Sequence, residues 1–293
     1  MLGKPITKRK KTKQDKSLDE RIVVPLDGSK LAEIALPYAE EIAVRTGRDI
    51  VMLSVIEFAD PASRSYLTKT ADNTRSNTSR FAGESNAKGI KVFITTREGN
   101  PAESIVDFTT KWGHNLIVMA THGRSGIGRW AIGSVADKVV RAVTNSSVFL
   151  VRGNKAGPEV RDNQLLKKVL VPLDGSVPSQ SIIPFIKKLA KKLSLELMFF
   201  HVESEEDRQE IDARTYLEER CGELEKHGIA AGCEVRTGSP ADSIIDLADE
   251  LGVDFIAMST RGKSNITPWS IGSVAQKVLL GGNTPLMLVR QGN

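Results

Sequence analysis

Two stretches of the chain carry the residues best able to do chemistry. "ATHGRSGIGRWAIGSVADK" runs from Ala120 to Lys138, and a variant, "STRGKSNITPWSIGSVAQK", from Ser259 to Lys277. Each lies between an apolar run and a helical pattern. Glycine has no Cβ, so backbone there can pass close to a ligand. A Gly-Ser pair opening a helix offers amides and a hydroxyl at the positive end of the helix dipole, which suits phosphate.

Three phosphate motifs compete for these stretches. Gly126, Gly128 and Ala131 fit a loose dinucleotide fingerprint, but that fingerprint belongs to the first βα turn, and the second stretch reads Asn265-Ile266-Thr267 instead. "AMSTRGKS" (257–264) ends like a Walker A loop, yet Ala257 stands where its first glycine belongs, and the first stretch lacks the lysine. Both are set aside. What the stretches share is a small residue, two residues, a glycine, nine residues, then Gly-Ser. These are Ala120, Gly123, Gly133 and Ser134, and again Ser259, Gly262, Gly272 and Ser273.

The loops belong to a larger repeat. "VVPLDGS" (23–29) returns as "LVPLDGS" (170–176), "GNPAESIVDF" (99–108) as "GSPADSIIDL" (238–247), and "VFLVR" (148–152) as "LMLVR" (286–290). The order is kept, so the chain is a tandem duplication. Its parts are a basic tail (1–20), a first domain (21–153), a linker rich in Gly, Pro and charge (154–166) and a second domain (167–291).

Each copy alternates short apolar, β-rich runs with helical spacing. In the first, strands are expected at 21–26, 49–56, 91–96, 115–120 and 147–152, with helices at 30–46, 101–113 and 133–143. Region 62–89 reads as a loop entering a helix. Alternating βα units imply an α/β fold with a parallel sheet between helical layers. Ligands of such sheets bind beyond the carboxyl ends of the strands, where the winding reverses. If strands one and four are neighbours there, the "PLDGS" turn and the glycine loop border one crevice.

Composition narrows the function classes. The net charge of +5 sits mostly in the tail, where seven Lys/Arg meet three acidic residues. Contact with nucleic acid or a membrane surface is therefore expected only through residues 1–20, if at all. No apolar run is long enough for a transmembrane helix. Cys221 and Cys233 are the only cysteines, and a pair twelve positions apart suits neither a disulfide scaffold nor a zinc site. Two reduced thiols in a cytoplasmic protein are expected.

With these motifs in place, the chain resembles the universal stress protein family in its tandem form. That family's nucleotide signature is glycine, two residues, glycine, nine residues, glycine and Ser or Thr, with an Asp in a turn after strand one. "MATHGRSG" (119–126), "GNPAESI" and "GSVADKV" are also similar to family wording. The resemblance implies two Rossmann-like domains, each with a five-stranded sheet of order 3-2-1-4-5, packed as an intrachain pseudo-dimer, with homodimerisation of the whole chain open. It implies ATP as ligand, with any Mg2+ held through the phosphates, and a role in stress response through nucleotide-dependent interaction with an unknown protein partner.

Carried over by position, the resemblance implies that Asp27 and Val55 contact adenine and ribose. Met119, Ala120 and Gly123 would line the approach, and Gly133, Ser134 and Val135 would bind phosphates. In the second copy the matching residues are Asp174, Val202, Met258, Ser259, Gly262, Gly272, Ser273 and Val274. Asp27 and Asp174 also suit a turn that caps the next helix, a role that needs no ligand. Trp130 and Trp269, in the nine-residue loops, would either cover a nucleotide or anchor the loop.

The signature's first glycine is Ala120 in one copy and Ser259 in the other, and Pro268 stiffens the second loop. The first copy is the better match. Of the four histidines, only His122 is expected in a crevice, and the sequence offers no carboxylate pair, metal-ligand cluster or serine elbow. Binding without catalysis is the expectation. A module of the same family that binds no nucleotide, and a slow ATP hydrolase, remain as alternatives.

Overall fold

A computed structural model of the chain describes residues 21–57, 79–112, 116–122, 132–144, 146–152, 164–203, 212–260, 262 and 271–290. The basic tail, most of the linker, Gly123, Trp130, Trp269 and Pro268 lie outside the described residues.

In the first half the strands are β1 (Ile22–Leu26), β2 (Ile50–Ile56), β3 (Val92–Glu98), β4 (Leu116–Ala120) and β5 (Ser147–Val151). Its helices are α1 (Lys30–Glu33), α2 (Leu36–Thr46), α3 (79–87 described), α4 (Pro101–Trp112) and α5 (Ser134–Ala142). The second half repeats this with β6 (Lys168–Pro172), α6 (Val177–Gln180), α7 (Ile182–Leu193), β7 (Glu196–Glu203), α8 (Ala213–Glu225) and β8 (Ala231–Thr237). It ends with α9 (Pro240–Leu251), β9 (Phe255–Ser259), α10 (Ser273–Gly281) and β10 (Leu286–Val289).

The single helix expected over 30–46 is broken at Ile34–Ala35. Pro37 causes this, because it has no N–H for the preceding turn and its ring excludes that turn's carbonyl. It is accommodated instead in the first turn of α2.

The two halves do not form separate sheets. They join in one ten-stranded sheet of order β3-β2-β1-β4-β5-β10-β9-β6-β7-β8. Within each half the pairing is parallel, whereas β5 and β10 pair antiparallel, with Leu150 opposite Leu286 and Val148 opposite Leu288. Alternate side chains feed two cores. Ile22, Val24, Ile50 and Met52 face the layer of α2, α7 and α8, while Val23, Val51 and Leu53 face α4, α5, α9 and α10. Both cores run through both halves, giving a three-layer α/β/α molecule.

Polar contacts reinforce the seam. Arg290, after β10, is 8% exposed and donates from Nη1 to the Arg141 and Val143 carbonyls at the C-terminus of α5, at 3.0 and 2.9 Å. Reciprocally, Arg152, after β5, donates to the Leu279 carbonyl in α10. Burial pushes the Arg152 guanidinium below its usual value. Each arginine thus places a cation at the negative end of the other half's helix. The end of the linker is held likewise: Glu41 of α2 accepts the Leu165 and Leu166 amides at 2.6 and 3.1 Å. Asp254 accepts the Lys167 and Lys168 amides, both at 2.7 Å.

At the centre, Phe149 of β5 is fully buried, with the Tyr38 ring 5.6 Å away and the Phe255 ring 5.3 Å away. It therefore stitches α2 and β5 to β9 of the other half. Phe149→Ala should destabilise the chain by about 3–5 kcal/mol through lost burial and a residual cavity. Phe149→Leu, which keeps much of the volume, should lose less than half of that. Urea unfolding of the two variants checks this, provided the transition stays cooperative.

Candidate functional site

In each half the strand order reverses between the first strand and its neighbour, the fourth. β1 pairs with β2 on one side and with β4 on the other, and β6 sits likewise between β7 and β9. The chain leaves β1 and β4 for helices in opposite layers, which opens a crevice at their carboxyl ends.

The "PLDGS" turn forms one wall. Gly28 and Gly175 have φ of 83° and 78°, in the left-handed region that side chains disfavour. This turn folds Asp27 back, so that its Oδ1 accepts the Ser29 amide at 3.0 Å and the Ser29 hydroxyl at 2.7 Å. Ser29 Oγ in turn accepts the Ala32 amide at 3.1 Å and caps α1. The second half repeats this, with Asp174 Oδ1 accepting from Ser176 N and Oγ at 3.0 and 2.6 Å, and Ser176 capping α6. The residues capping the helices are the serines. The aspartates hold those serines in place with one carboxylate oxygen.

The other oxygen faces the glycine loop. A Cβ built on Gly262 would lie 2.4 Å from Asp174 Oδ2. The loop backbone therefore passes directly over the carboxylate, and this position admits no side chain unless Asp174 moves. The expected meeting of the turn and the glycine loop is thus realised in the second half. Its counterpart, Gly123, lies outside the described residues.

Both long loops close at their base through a backbone bond. Gly133 N donates to Thr121 O and Gly272 N to Thr260 O, each at 2.8 Å. A Cβ on Gly133 would crowd that same Thr121 carbonyl at 3.0 Å. This corrects the expectation that both residues of each Gly-Ser pair offer free amides: the glycine amide is committed to loop closure. Gly133 and Gly272 are the N-caps of α5 and α10, and neither helix start carries a side-chain cap. The next amides, those of Ser134 and Val135, and of Ser273 and Val274, have no acceptor within their helices.

The apolar candidates line the same side. Met119 and Met258 are buried in the second core, and Val55, Val135, Val202 and Val274 pack against it. Leu26 pairs with Ser54, the last pair between β1 and β2, which puts Asp27 level with Val55, itself still paired with Arg97 of β3. Ala120 and Ser259 are 7% and 9% exposed. Neither has a positive φ, so a side chain is tolerated at both positions.

Two residues of the second crevice escaped the sequence reading, which expected His122 alone among the histidines. His201, 7% exposed, bonds through Nδ1 to the Leu173 carbonyl at 2.7 Å, beside Asp174 and Val202. Its place next to Val202 was the available signal. Tyr216 on α8 is the other. Burial pushes its phenol up, against the nearby Arg220 charge and with a smaller push from Asp174, and its hydroxyl has no hydrogen-bond partner among the described residues. Nothing in its local sequence marked it. In the first half, His122 Nδ1 lies 3.0 Å from Thr121 Oγ1, at the base of the loop. Among the described residues no group of three or more His, Cys, Asp or Glu side chains converges as for a metal ion. No helix among the described residues is long and apolar enough to cross a membrane.

The sequence model of the universal stress protein family matches residues 20–152 and again 166–290. The chain belongs to the universal stress protein family. A universal stress protein of Methanocaldococcus jannaschii is 30% identical over 135 residues, covering 43% of this chain and 78% of that protein. One from Synechocystis sp. is 23% identical over 92% of this chain and its own full length. The crystal structure of a universal stress protein from Archaeoglobus fulgidus superposes with a TM-score of 0.72 at 20% identity, over 94% of this chain and 97% of that one. At that identity the likeness speaks for the tandem universal stress protein fold.

Gly262→Ala tests the contact between the loop and the turn. The methyl group should displace the Asp174 carboxylate and loosen the Ser176 cap, lowering stability by about 1–2 kcal/mol. Thermal or urea unfolding measures this, and wild-type stability would contradict the close approach.

Proposed function

We propose that this universal stress protein binds ATP at the crevice of each half and acts through nucleotide-dependent interaction with a partner protein. The observation that carries the reading is the twice-built helix start. α5 and α10 each begin at a glycine N-cap with no side-chain cap, and in the second half the loop leading to that start meets the aspartate turn at Gly262. Amides at the positive end of a helix dipole suit phosphate. A carboxylate level with an apolar valine suits a ribose and the edge of a base.

The residues present fit such a ligand. Gly262 lets the second loop pack directly on Asp174, which brings the glycine loop and the aspartate turn to one place, as a shared binding crevice requires. The phosphates would meet the amides of Ser134 and Val135, or of Ser273 and Val274, and the nucleoside would lie toward Val55 or Val202. Bound ATP would supply a charged group whose presence or loss changes the loop surface offered to a partner. The reading is of binding without a catalytic step, in a cytoplasmic setting where ATP is available.

Calorimetric titration of the full chain with ATP, AMP and cyclic AMP, with and without Mg2+, is the test. ATP should bind saturably. Ser134→Asp and Ser273→Asp should each weaken their own site by about tenfold or more, because a fixed carboxylate there repels phosphate. The same change favours the helix dipole, so stability should hold or rise, and lost binding is then not lost folding. The absence of saturable binding, or a double variant binding like wild type, would overturn the reading. Phosphate release above background during the titration would replace it with the hydrolase alternative.

A further inference from the structure

The two cysteines, unpromising by their spacing, are brought together by the fold. Cys221 lies on the buried face of α8 between Leu217 and Leu224, and is 7% exposed. Cys233 lies on β8, an edge strand of the sheet, opposite Phe199 of β7. It is half-buried and packs on the same core as Cys221. The packing of α8 on β8 thus sets the two thiols beside one another on one core, each near enough to feel the other's charge. The connection between them is fixed by backbone bonds from Gly228 N to Glu225 O at 2.8 Å and from Ile229 N to Leu224 O at 3.2 Å. Gly228, with φ of 73°, makes the reversal.

We propose that Cys221 and Cys233 form an oxidisable dithiol site, converted by a hydroperoxide into an intrachain disulfide that staples α8 to the edge strand β8. The more accessible Cys233 reacts first. Its thiolate attacks one peroxide oxygen, the O–O bond breaks, and a sulfenic acid forms on Cys233 as the other oxygen leaves as water or alcohol. Cys221 Sγ then attacks Cys233 Sγ. The S–O bond breaks, and the departing hydroxide takes the Cys221 proton and leaves as water. Both sulfurs are oxidised by one electron each, and the peroxide is reduced.

The environment fits this order. Burial first, and then the neighbouring Cys233 charge, push the Cys221 thiol up to about 12, so it stays protonated until a partner sulfur is activated beside it. Once Cys233 is a neutral sulfenic acid, the charge contribution to that elevation is gone. The site stands apart from the nucleotide reading and does not depend on it. Its nearest link to the second crevice is Tyr216, on the same helix.

The test uses the full chain, reduced, desalted and treated with stoichiometric hydrogen peroxide. Expected are a mass loss of two hydrogen atoms, disappearance of both alkylatable thiols together, a Cys221–Cys233 peptide on non-reducing digestion, and recovery with dithiothreitol. Cys221→Ser should leave Cys233 trappable by dimedone as the sulfenic acid, and Cys233→Ser should slow peroxide consumption by about tenfold or more. The proposal is overturned if treated wild-type protein keeps both thiols alkylatable, gains oxygen on one cysteine without the disulfide, or links two chains instead of closing one. Wild-type mass mapping decides the matter even if a serine variant folds poorly.

Discussion

Everything in this molecule depends on the antiparallel pairing of β5 with β10. An exposed apolar edge strand is adhesive, and each half ends in one. Joining these two edges buries Val148, Phe149, Leu150, Leu286, Met287 and Leu288 to 3% exposure or less. Because each half is parallel internally and the seam is antiparallel, the carboxyl ends of the two sets of strands point in opposite directions. The two crevices therefore open at opposite margins of one continuous sheet, and neither shares its walls with the other.

The seam also ties each half's helices to the other's strands. Arg290 follows the last strand, yet it grips the end of α5, and its Nε reaches Thr260 Oγ1 at 3.4 Å. Thr260 is the residue whose carbonyl closes the base of the second glycine loop. One side chain thus touches both the base of one candidate site and the helix that begins the other. Arg152 makes the matching reach to α10.

The parts of this architecture that repeat locally were legible in the sequence. The βα alternation, the strand-one turn and the loop ending in Gly-Ser depend on neighbours in the chain, and duplication removed the accidental matches to other phosphate motifs. The parts that depend on distant neighbours were not. The Arg290 contact joins residues just over half the chain apart, and the Cys221–Cys233 pairing depends on how α8 turns its face to β8. Tyr216 came near Asp174 for the same reason. Pro37 was locally visible, and the broken helix it causes shows a strong apolar periodicity masking one breaker residue. The commitment of the Gly133 and Gly272 amides was invisible, because a glycine can serve a close ligand or a close carbonyl equally well.

The central claim is that the duplicated helix starts are anion sites. Amide chemical shifts in the isotope-labelled full chain, followed during addition of ATP, test it most directly. The account predicts that the largest changes fall on Ser134 and Val135 and on Ser273 and Val274, with Gly133 and Gly272 less affected because their amides are already bonded within the protein. Saturating ATP that leaves these four amides unmoved, or moves a different surface, would contradict it.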